Sequence, residues 1–221
     1  MIPLKDNIKS HSIPIITVLL IIINVLIFVF QSSLDRESNI LFITMLGFIP
    51  QRITMEFSLE YYPLMTFVTS MFLHGSLLHL LGNMLYLWIF GDNVEDKLGK
   101  LGFLFFYIIV GILGNFAHYM YDPLSSQPAI GASGAVAGVL GAYFIFYPSA
   151  RILTIVPIGF FITAFHLPAV IFLGIWILLQ TANALLALPG TATSVAWWAH
   201  IGGFLAGFFL GVVNLISRAR E

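Results

Sequence analysis

The chain has 221 residues, of which 59% are hydrophobic and only 9% are charged. Soluble domains carry about 25% charged residues, so this composition cannot cover a water-exposed surface and predicts an integral membrane protein. The net charge of −1 excludes a broadly basic nucleic-acid-binding protein, and the lack of cysteine excludes disulfides, thiolate catalysis and cysteine-ligated metal sites in this chain.

Six apolar segments are candidates for membrane-spanning helices, each of which needs about 20 mainly apolar residues. In chain order they cover about residues 13–30, 77–90, 101–119, 132–147, 168–186 and 199–216. The long connection between the first two mixes charged residues with apolar patches, so we expect it to lie partly in the membrane interface. The predicted fold class is therefore all-α, a single polytopic domain over residues 1–221 with six transmembrane helices.

The distribution of basic residues predicts how these helices are oriented. With the N-terminus in the cytoplasm and six alternating spans, seven of the nine Lys and Arg residues fall on the cytoplasmic side. These seven are Lys5, Lys9, Lys97, Lys100, Arg151, Arg218 and Arg220. Only Arg36 and Arg52 fall outside. We therefore expect a multi-pass protein of the cell membrane with both termini in the cytoplasm.

Polar side chains inside the predicted spans are informative, because each is costly in lipid and usually faces the interior of the bundle. His79 and Asn83 lie one helical turn apart on the second span, and Ser133 and His200 begin the fourth and sixth. The predicted topology puts all four in the exterior part of their spans. We therefore expect them to converge at one depth.

The fourth and sixth spans also carry glycines at four-residue spacing, which lets helix backbones approach closely in lipid. These glycines are Gly134 and Gly138 on the fourth span, and Gly203, Gly207 and Gly211 on the sixth. If the two stripes meet, Ser133 and His200 come within hydrogen-bonding distance.

Such a pair is typical of serine-type catalysis, in which His200 takes the proton of the Ser133 hydroxyl. The Ser133 backbone amide, the Asn83 amide and a His79 ring N–H are candidate donors to the oxyanion. Because no acidic residue lies in the last three spans, the site would be a pair rather than a triad. Each of these residues could instead have a structural role, in helix packing or an interhelical hydrogen bond. The residues alone do not decide between a catalytic and a structural role.

Three motifs resemble those of the rhomboid intramembrane serine proteases. They are HGSLLHLLGN (74–83), GASGAVAG (131–138) and AHIGGFLAGF (199–208). They occur in the family's order, and the resemblance covers about residues 65–216. It implies an intramembrane serine endopeptidase that needs no cofactor or metal and cuts single-span membrane proteins in or near their transmembrane helix. It also implies a short central serine helix and a water-filled cavity open to the exterior side.

The resemblance assigns roles to individual residues. Ser133 is implied as the nucleophile, His200 as the general base, and His79, Asn83 and the Ser133 amide as the oxyanion site. Gly131 and Ala132 are implied as the loop along which the substrate backbone lies. The segment 187–198, with the fifth helix, is implied as the gate over the cavity.

The chain departs from its relatives at three positions near these motifs. Met65 and Thr66 stand where many relatives have a Trp–Arg pair, and Ser70 stands where one type has histidine. Ala137 stands where some relatives stack a tyrosine on the histidine, so another group must hold the His200 ring. We expect His74 to brace the loop near the site and His118 to lie at the membrane interface.

Two other functions remain open at this stage. A non-catalytic member of the same fold would bind membrane clients without cutting them, although intact Ser133 and His200 argue against it. A small transporter or channel would use the polar cluster for permeation, although beyond the histidines the spans hold almost no ionisable residues. The expected partners are the lipid bilayer and single-span membrane substrates, with no nucleic acid.

Overall fold

The structure is a computed structural model that describes residues 1–55, 62–158, 161–187 and 195–219. Helices account for most of the described residues, with a small antiparallel sheet and one turn of 3-10 helix at Ser70–Phe72. The helices are α1 (Ile15–Ser33), α2 (Arg36–Leu46), α3 (Pro50–Met55), α4 (Tyr62–Thr69), α5 (Leu77–Leu98), α6 (Lys100–Tyr121), α7 (Ser133–Phe146), α8 (Ala169–Leu186) and α9 (Trp197–Arg218). The strands are β1 (Ile2–Asp6), β2 (Arg151–Ile158) and β3 (Phe161–Pro168).

The predicted helical membrane fold is confirmed. Within the described residues, four helices are long and apolar enough to cross a membrane, namely α1, α6, α8 and α9. The segment Pro63–Phe72 and α5, which meet at 83°, form a fifth candidate span. The remaining predicted span, the fourth (residues 132–147), corresponds to α7, which has only 14 residues. Because a full crossing needs about 20 residues, the count of six is compatible with the structure but is not established by helix length.

Helix α5 extends to Leu98, eight residues beyond its predicted end, although its last turns read GDNVEDKL. In these turns Glu95 is buried against the start of α1. Its carboxylate accepts hydrogen bonds from the backbone N–H of Ile16 at 3.0 Å and of Thr17 at 2.8 Å, and from the Thr17 hydroxyl. Pro14, which precedes α1, provides no side-chain cap. Glu95 therefore satisfies the unpaired N–H groups at the start of α1 from a neighbouring helix.

The structure adds a three-stranded antiparallel sheet, in the order β1–β2–β3, to the predicted helices. Ile2 pairs with Ile155, and Arg151 pairs with Pro168 across the β2–β3 hairpin. The sheet therefore joins the segment before α1 to the connection between α7 and α8. The start of α1, the end of α7 and the start of α8 consequently lie at one end of the bundle.

Helix α7 lies at the centre of the bundle, with every residue from Gly134 to Tyr143 buried. It packs directly on α9, because a Cβ atom on Gly203 would run into the carbonyl of Gly134, and one on Gly207 into the carbonyl of Gly138. The predicted contact between the two glycine stripes is confirmed. Large apolar side chains such as Leu178 on α8, which is 69% exposed, face outward, as expected for lipid contact.

Candidate active site

A cavity of about 720 Å³ lies at the end of α7 opposite the sheet. The walls come from the start of α5, the end of α6, the start of α7 and the segment before α9. Among the lining residues are His79, His118, Ser133, Trp197 and Trp198. Segments that are far apart in the chain therefore converge at one level, as the polar residues of the spans predict.

Ser133 and His200 meet at this cavity. Ser133 is the first residue of α7, and His200 lies in the first turn of α9. The close packing of these glycine-bearing helices brings Ser133 Oγ to 2.8 Å from His200 Nε2. The predicted proximity of the two side chains is confirmed. A hydroxyl bound to a neutral imidazole can lose its proton as it attacks a carbonyl carbon, which is the first step of acyl transfer.

The other nitrogen of His200 is held by Gln180, which sequence reasoning missed. Nδ1 of the ring lies 2.7 Å from Gln180 Oε1 on α8. The rings of Trp176 and Trp197 lie with their centroids 6.1 and 5.9 Å from that of His200. These groups hold the ring in a chain that has Ala137 in place of a stacking tyrosine. Gln180 and Asn183 are the two amides of the predicted fifth span, and a polar side chain in an apolar span indicates an interior contact without naming its partner.

His79 and Asn83 lie next to the loop that precedes Ser133. An ideal Cβ atom on Gly131 would lie 2.7 Å from His79 Nε2 and 3.5 Å from Asn83 Nδ2. Gly131 has φ +120°, a conformation that only glycine adopts without strain. The predicted oxyanion residues therefore lie beside the turn that begins the serine helix, and His79 also lines the cavity.

His74 connects Asn83 to the first helix. Asn83 Nδ2 lies 3.0 Å from His74 Nε2, and the His74 backbone N–H donates to Gln31 Oε1 of α1 at 3.1 Å. The rings of His74 and His79 meet edge to face with centroids 5.1 Å apart. His74 thus lies between Asn83 and α1, and its bracing role stays a prediction.

The loop 129–132 contains Gly131 and Ala132, the two residues that the resemblance implies as the substrate-backbone loop. The Gly131 N–H donates to the carbonyl of Ser70 at 2.9 Å, and Ala132 is fully buried. Ala129 and Ile130, which precede them, line the cavity. The loop therefore borders the cavity through Ala129 and Ile130, and the role of Gly131 and Ala132 along a substrate backbone stays a prediction.

His118, which was expected at the membrane interface from its position at the end of α6, lines the cavity. Its Nδ1 atom is buried and has no hydrogen-bond partner among the described residues. The Trp198 ring stacks on Tyr121 with centroids 4.9 Å apart, and the Tyr121 hydroxyl donates to the Ala187 carbonyl at 2.6 Å. Most of the predicted gate segment, residues 188–194, lies outside the described residues.

The loop without the family's Trp–Arg pair contains a different arginine contact. Arg52 on α3 donates from Nη1 to the carbonyl of Thr44 on α2 at 2.5 Å, and the Thr69 hydroxyl donates to the Leu46 carbonyl at 2.7 Å. Across the described ranges, no group of three His, Asp or Glu side chains is arranged to hold a metal ion.

Comparison of the sequence with known proteins identifies the family to which the chain belongs. The Rhomboid domain model matches residues 62–217. RHOMBOID-like protein 5 of Arabidopsis thaliana is 33% identical over 149 residues, which are 67% of this chain and 43% of that protein. Rhomboid protein 1, mitochondrial, of Saccharomyces cerevisiae is 34% identical over 161 residues, which are 70% of this chain and 42% of that protein. Presenilin-associated rhomboid-like protein A, mitochondrial, of Danio rerio is 32% identical over 164 residues, a match that covers 70% of this chain and 39% of that protein.

The chain spans about two fifths of the length of these curated relatives. The matched region contains α4 to α9, and therefore the helices that carry Ser133, His200 and the cavity. The chain belongs to the rhomboid family, which includes serine intramembrane proteases.

Proposed function

We propose that the protein is an intramembrane serine endopeptidase that hydrolyses peptide bonds in or near the transmembrane helix of single-span membrane proteins. The observation that carries the proposal is the 2.8 Å approach of Ser133 Oγ to His200 Nε2 at a cavity within the bundle. Membership of a family that includes such proteases supports the same chemistry.

The reaction has two halves. Ser133 Oγ attacks the carbonyl carbon of the scissile peptide bond while His200 Nε2 takes the hydroxyl proton. His200 then gives this proton to the leaving amine, and the acyl group remains bound to Ser133. In the second half, His200 takes a proton from a water molecule, the water oxygen attacks the acyl carbon, and the proton returns to Ser133 Oγ. These steps need no cofactor and no metal ion.

Charge on the tetrahedral intermediate is stabilised by three donors. The Ser133 backbone N–H lies at the N-terminus of α7, where the helix dipole favours negative charge. The His79 ring borders the cavity. An amide NH₂ group has two hydrogens, so Asn83 Nδ2 can donate one to His74 and the other to the oxyanion. His74 acts through Asn83 and does not itself contact the substrate.

The substrate must expose a peptide bond that an intact helix shields. A transmembrane helix weakened by Gly or Pro unwinds at a lower cost than a Leu- and Ala-rich one. We therefore expect the enzyme to prefer Gly- or Pro-containing spans. Equal cleavage of two matched substrates, one with a Gly–Pro pair and one with Leu–Ala at the same depth, would refute this preference.

The active site opens to the exterior side of the cell membrane, and both termini lie in the cytoplasm. This orientation is supported by the seven basic residues on the proposed cytoplasmic side, and by the separation of the cavity and the sheet at opposite ends of α7. Because the yeast and zebrafish relatives are named as mitochondrial, microscopy of a tagged chain decides between the cell membrane and an organelle membrane.

The direct test is cleavage of a single-span substrate by the purified full chain in detergent. Ser133→Ala and His200→Ala are compared with Ser217→Ala and His166→Ala, which change exposed residues of the same types away from the cavity. We expect the first two variants to lose at least about a thousandfold in rate and the controls to keep the wild-type rate. Undiminished cleavage by Ser133→Ala would rule out this nucleophile.

Two rival functions give different results in the same preparation. A non-catalytic client-binding protein would capture single-span proteins, would not cut them, and would not be labelled at Ser133 by a fluorophosphonate. A small transporter would carry a solute flux in proteoliposomes that survives Ser133→Ala. The hydrogen bond between Ser133 and His200 favours the protease, because neither rival function requires it.

A further inference from the structure

We propose that Gln180 is a positioning residue that fixes the tautomer and orientation of the His200 ring, so that the serine–histidine pair works with a neutral third partner. This inference rests on the proposed protease function, because it concerns the base of that reaction. It concerns a residue of α8 that none of the three sequence motifs contains.

The His200 ring is engaged at both of its nitrogen atoms. Nε2 lies 2.8 Å from Ser133 Oγ, and Nδ1 lies 2.7 Å from Gln180 Oε1. A neutral imidazole has one N–H donor and one acceptor nitrogen. Because a carbonyl oxygen only accepts hydrogen bonds, the hydrogen of the ring sits on Nδ1. Nε2 is then the unprotonated nitrogen, and it faces the Ser133 hydroxyl as a general base must.

Helix α8 reaches the ring with two residues one turn apart. Trp176 and Gln180 share a helix face, and the Trp176 ring also stacks on Phe204, one turn after His200 on α9, with centroids 6.2 Å apart. Packing against Trp176 limits the tilt of the imidazole, and the hydrogen bond to Gln180 limits its rotation about the Cβ–Cγ bond. The base is therefore held by a helix other than the one that carries it.

A neutral partner suits this depth in the bundle. His200 is only 8% exposed, and α8 is an apolar candidate span. A carboxylate at this position would be a buried charge whenever the ring is neutral, whereas an amide accepts the same hydrogen bond without that cost. When the ring gains a proton during the reaction, its Nδ1–H still donates to Gln180, and the carbonyl dipole favours the positive charge.

The test measures the rate at which a fluorophosphonate labels Ser133 in the purified full chain, as a function of pH. Gln180→Leu removes the acceptor at similar size, and Gln180→Glu keeps an acceptor but adds charge. Asn183→Leu is the matched control, since it removes an exposed amide from the same helix. We expect Gln180→Leu to label about 10- to 100-fold more slowly, by analogy with the loss of partners that orient metal-ligating histidines, and the control to label at the wild-type rate.

The pH profile separates positioning from a general effect on folding. In Gln180→Glu the carboxylate favours the protonated ring, so labelling is retained and the acidic limb of the profile moves to higher pH. An unshifted profile in Gln180→Glu, or wild-type labelling in Gln180→Leu, would overturn the inference. If Gln180→Leu fails to fold, the pH profile of labelling in Gln180→Glu is the test of the inference. An unlabelled wild-type chain would instead overturn the proposed protease function, and with it this inference.

Discussion

The two ends of α7 differ in what their buried polar groups contact: other protein groups at one end, and a cavity at the other. At the sheet end, the Tyr143 hydroxyl donates to Asp6 of β1, and Asn93 of α5 donates to the same carboxylate at 3.0 Å. At the other end, Ser133 and His200 meet beside a cavity of about 720 Å³. At the sheet end, these hydrogen bonds offset the free-energy cost of burying polar groups, and they join α7, β1 and α5. At the second end, donors remain available to a molecule that enters the cavity.

The comparison predicts that changes at the cavity end reduce activity and changes at the sheet end reduce stability. The largest effect among the variants below is expected for His79→Ala. Loss of one donor to an oxyanion lowers kcat by about 100- to 1000-fold, while KM and the melting temperature stay near wild type. Cleavage kinetics and thermal unfolding in the same detergent check this. A large fall in melting temperature with unchanged kcat would place His79 among the structural residues.

A substitution on the glycine stripe is expected to reduce both activity and stability, because the stripe holds α9 against α7 along the length between the two ends. In Gly203→Ala the new methyl group meets the Gly134 backbone, so α7 and α9 separate and His200 withdraws from Ser133. Overpacking of this kind costs about 1–3 kcal/mol. Gly174→Ala on α8 is the matched control, since nothing lies within 4 Å of its new methyl group. Equal melting temperatures and equal activities in the two variants would contradict the close contact.

Tyr143→Phe is expected to lower stability and spare activity. It removes the hydroxyl that donates to Asp6, and the net loss for one such hydrogen bond is about 1 kcal/mol. The measurement pairs thermal unfolding with fluorophosphonate labelling of Ser133. A labelling rate that falls in parallel with stability would show that the two ends of α7 are coupled rather than independent.

The smallest effect concerns the pH dependence of stability. Burial raises the pKa of Asp6 above its ordinary value of 3.8, although the hydrogen bond from Tyr143 opposes this. Folded Asp6 therefore keeps its proton to higher pH than the unfolded chain does. Its contribution to stability is present at acidic pH and is lost as the pH rises through the raised pKa. Asp6→Asn cannot titrate, so its melting temperature should fall less over that range. A steeper fall would contradict the burial of a protonated carboxyl.

Sequence patterns predicted those parts of the structure that depend on local spacing. The helical membrane fold and the six apolar segments followed from composition and periodicity. The meeting of Ser133 with His200 followed from two glycine stripes, because small residues at four-residue spacing act through a single pair of helices. His79 and Asn83 were placed near the start of α7 because they share one helix face at the predicted depth.

The features that were missed all depend on a partner from a distant segment. Gln180 acquires its role from a histidine on another helix, and nothing beside it in the chain indicates that contact. The polar end of α5 lies beyond the predicted second span, because the groups that Glu95 binds belong to α1 and leave no pattern in the local sequence. The strands β2 and β3 fall in the predicted connection between two spans, and the pairing of β2 with β1 joins segments about 150 residues apart.

The pairing of β1 with β2 also bears on how the chain is made. Ile2 leaves the ribosome before Ile155, and at about 5–20 residues per second it has no partner for roughly 8 to 30 seconds. Both strands must then lie on the same side of the bilayer, so they can pair only if the chain has crossed it an even number of times between them. Omission of a single crossing would separate the strands by the full membrane. Closure of the sheet thus reports that the helices from α1 to α7 were inserted with the correct parity.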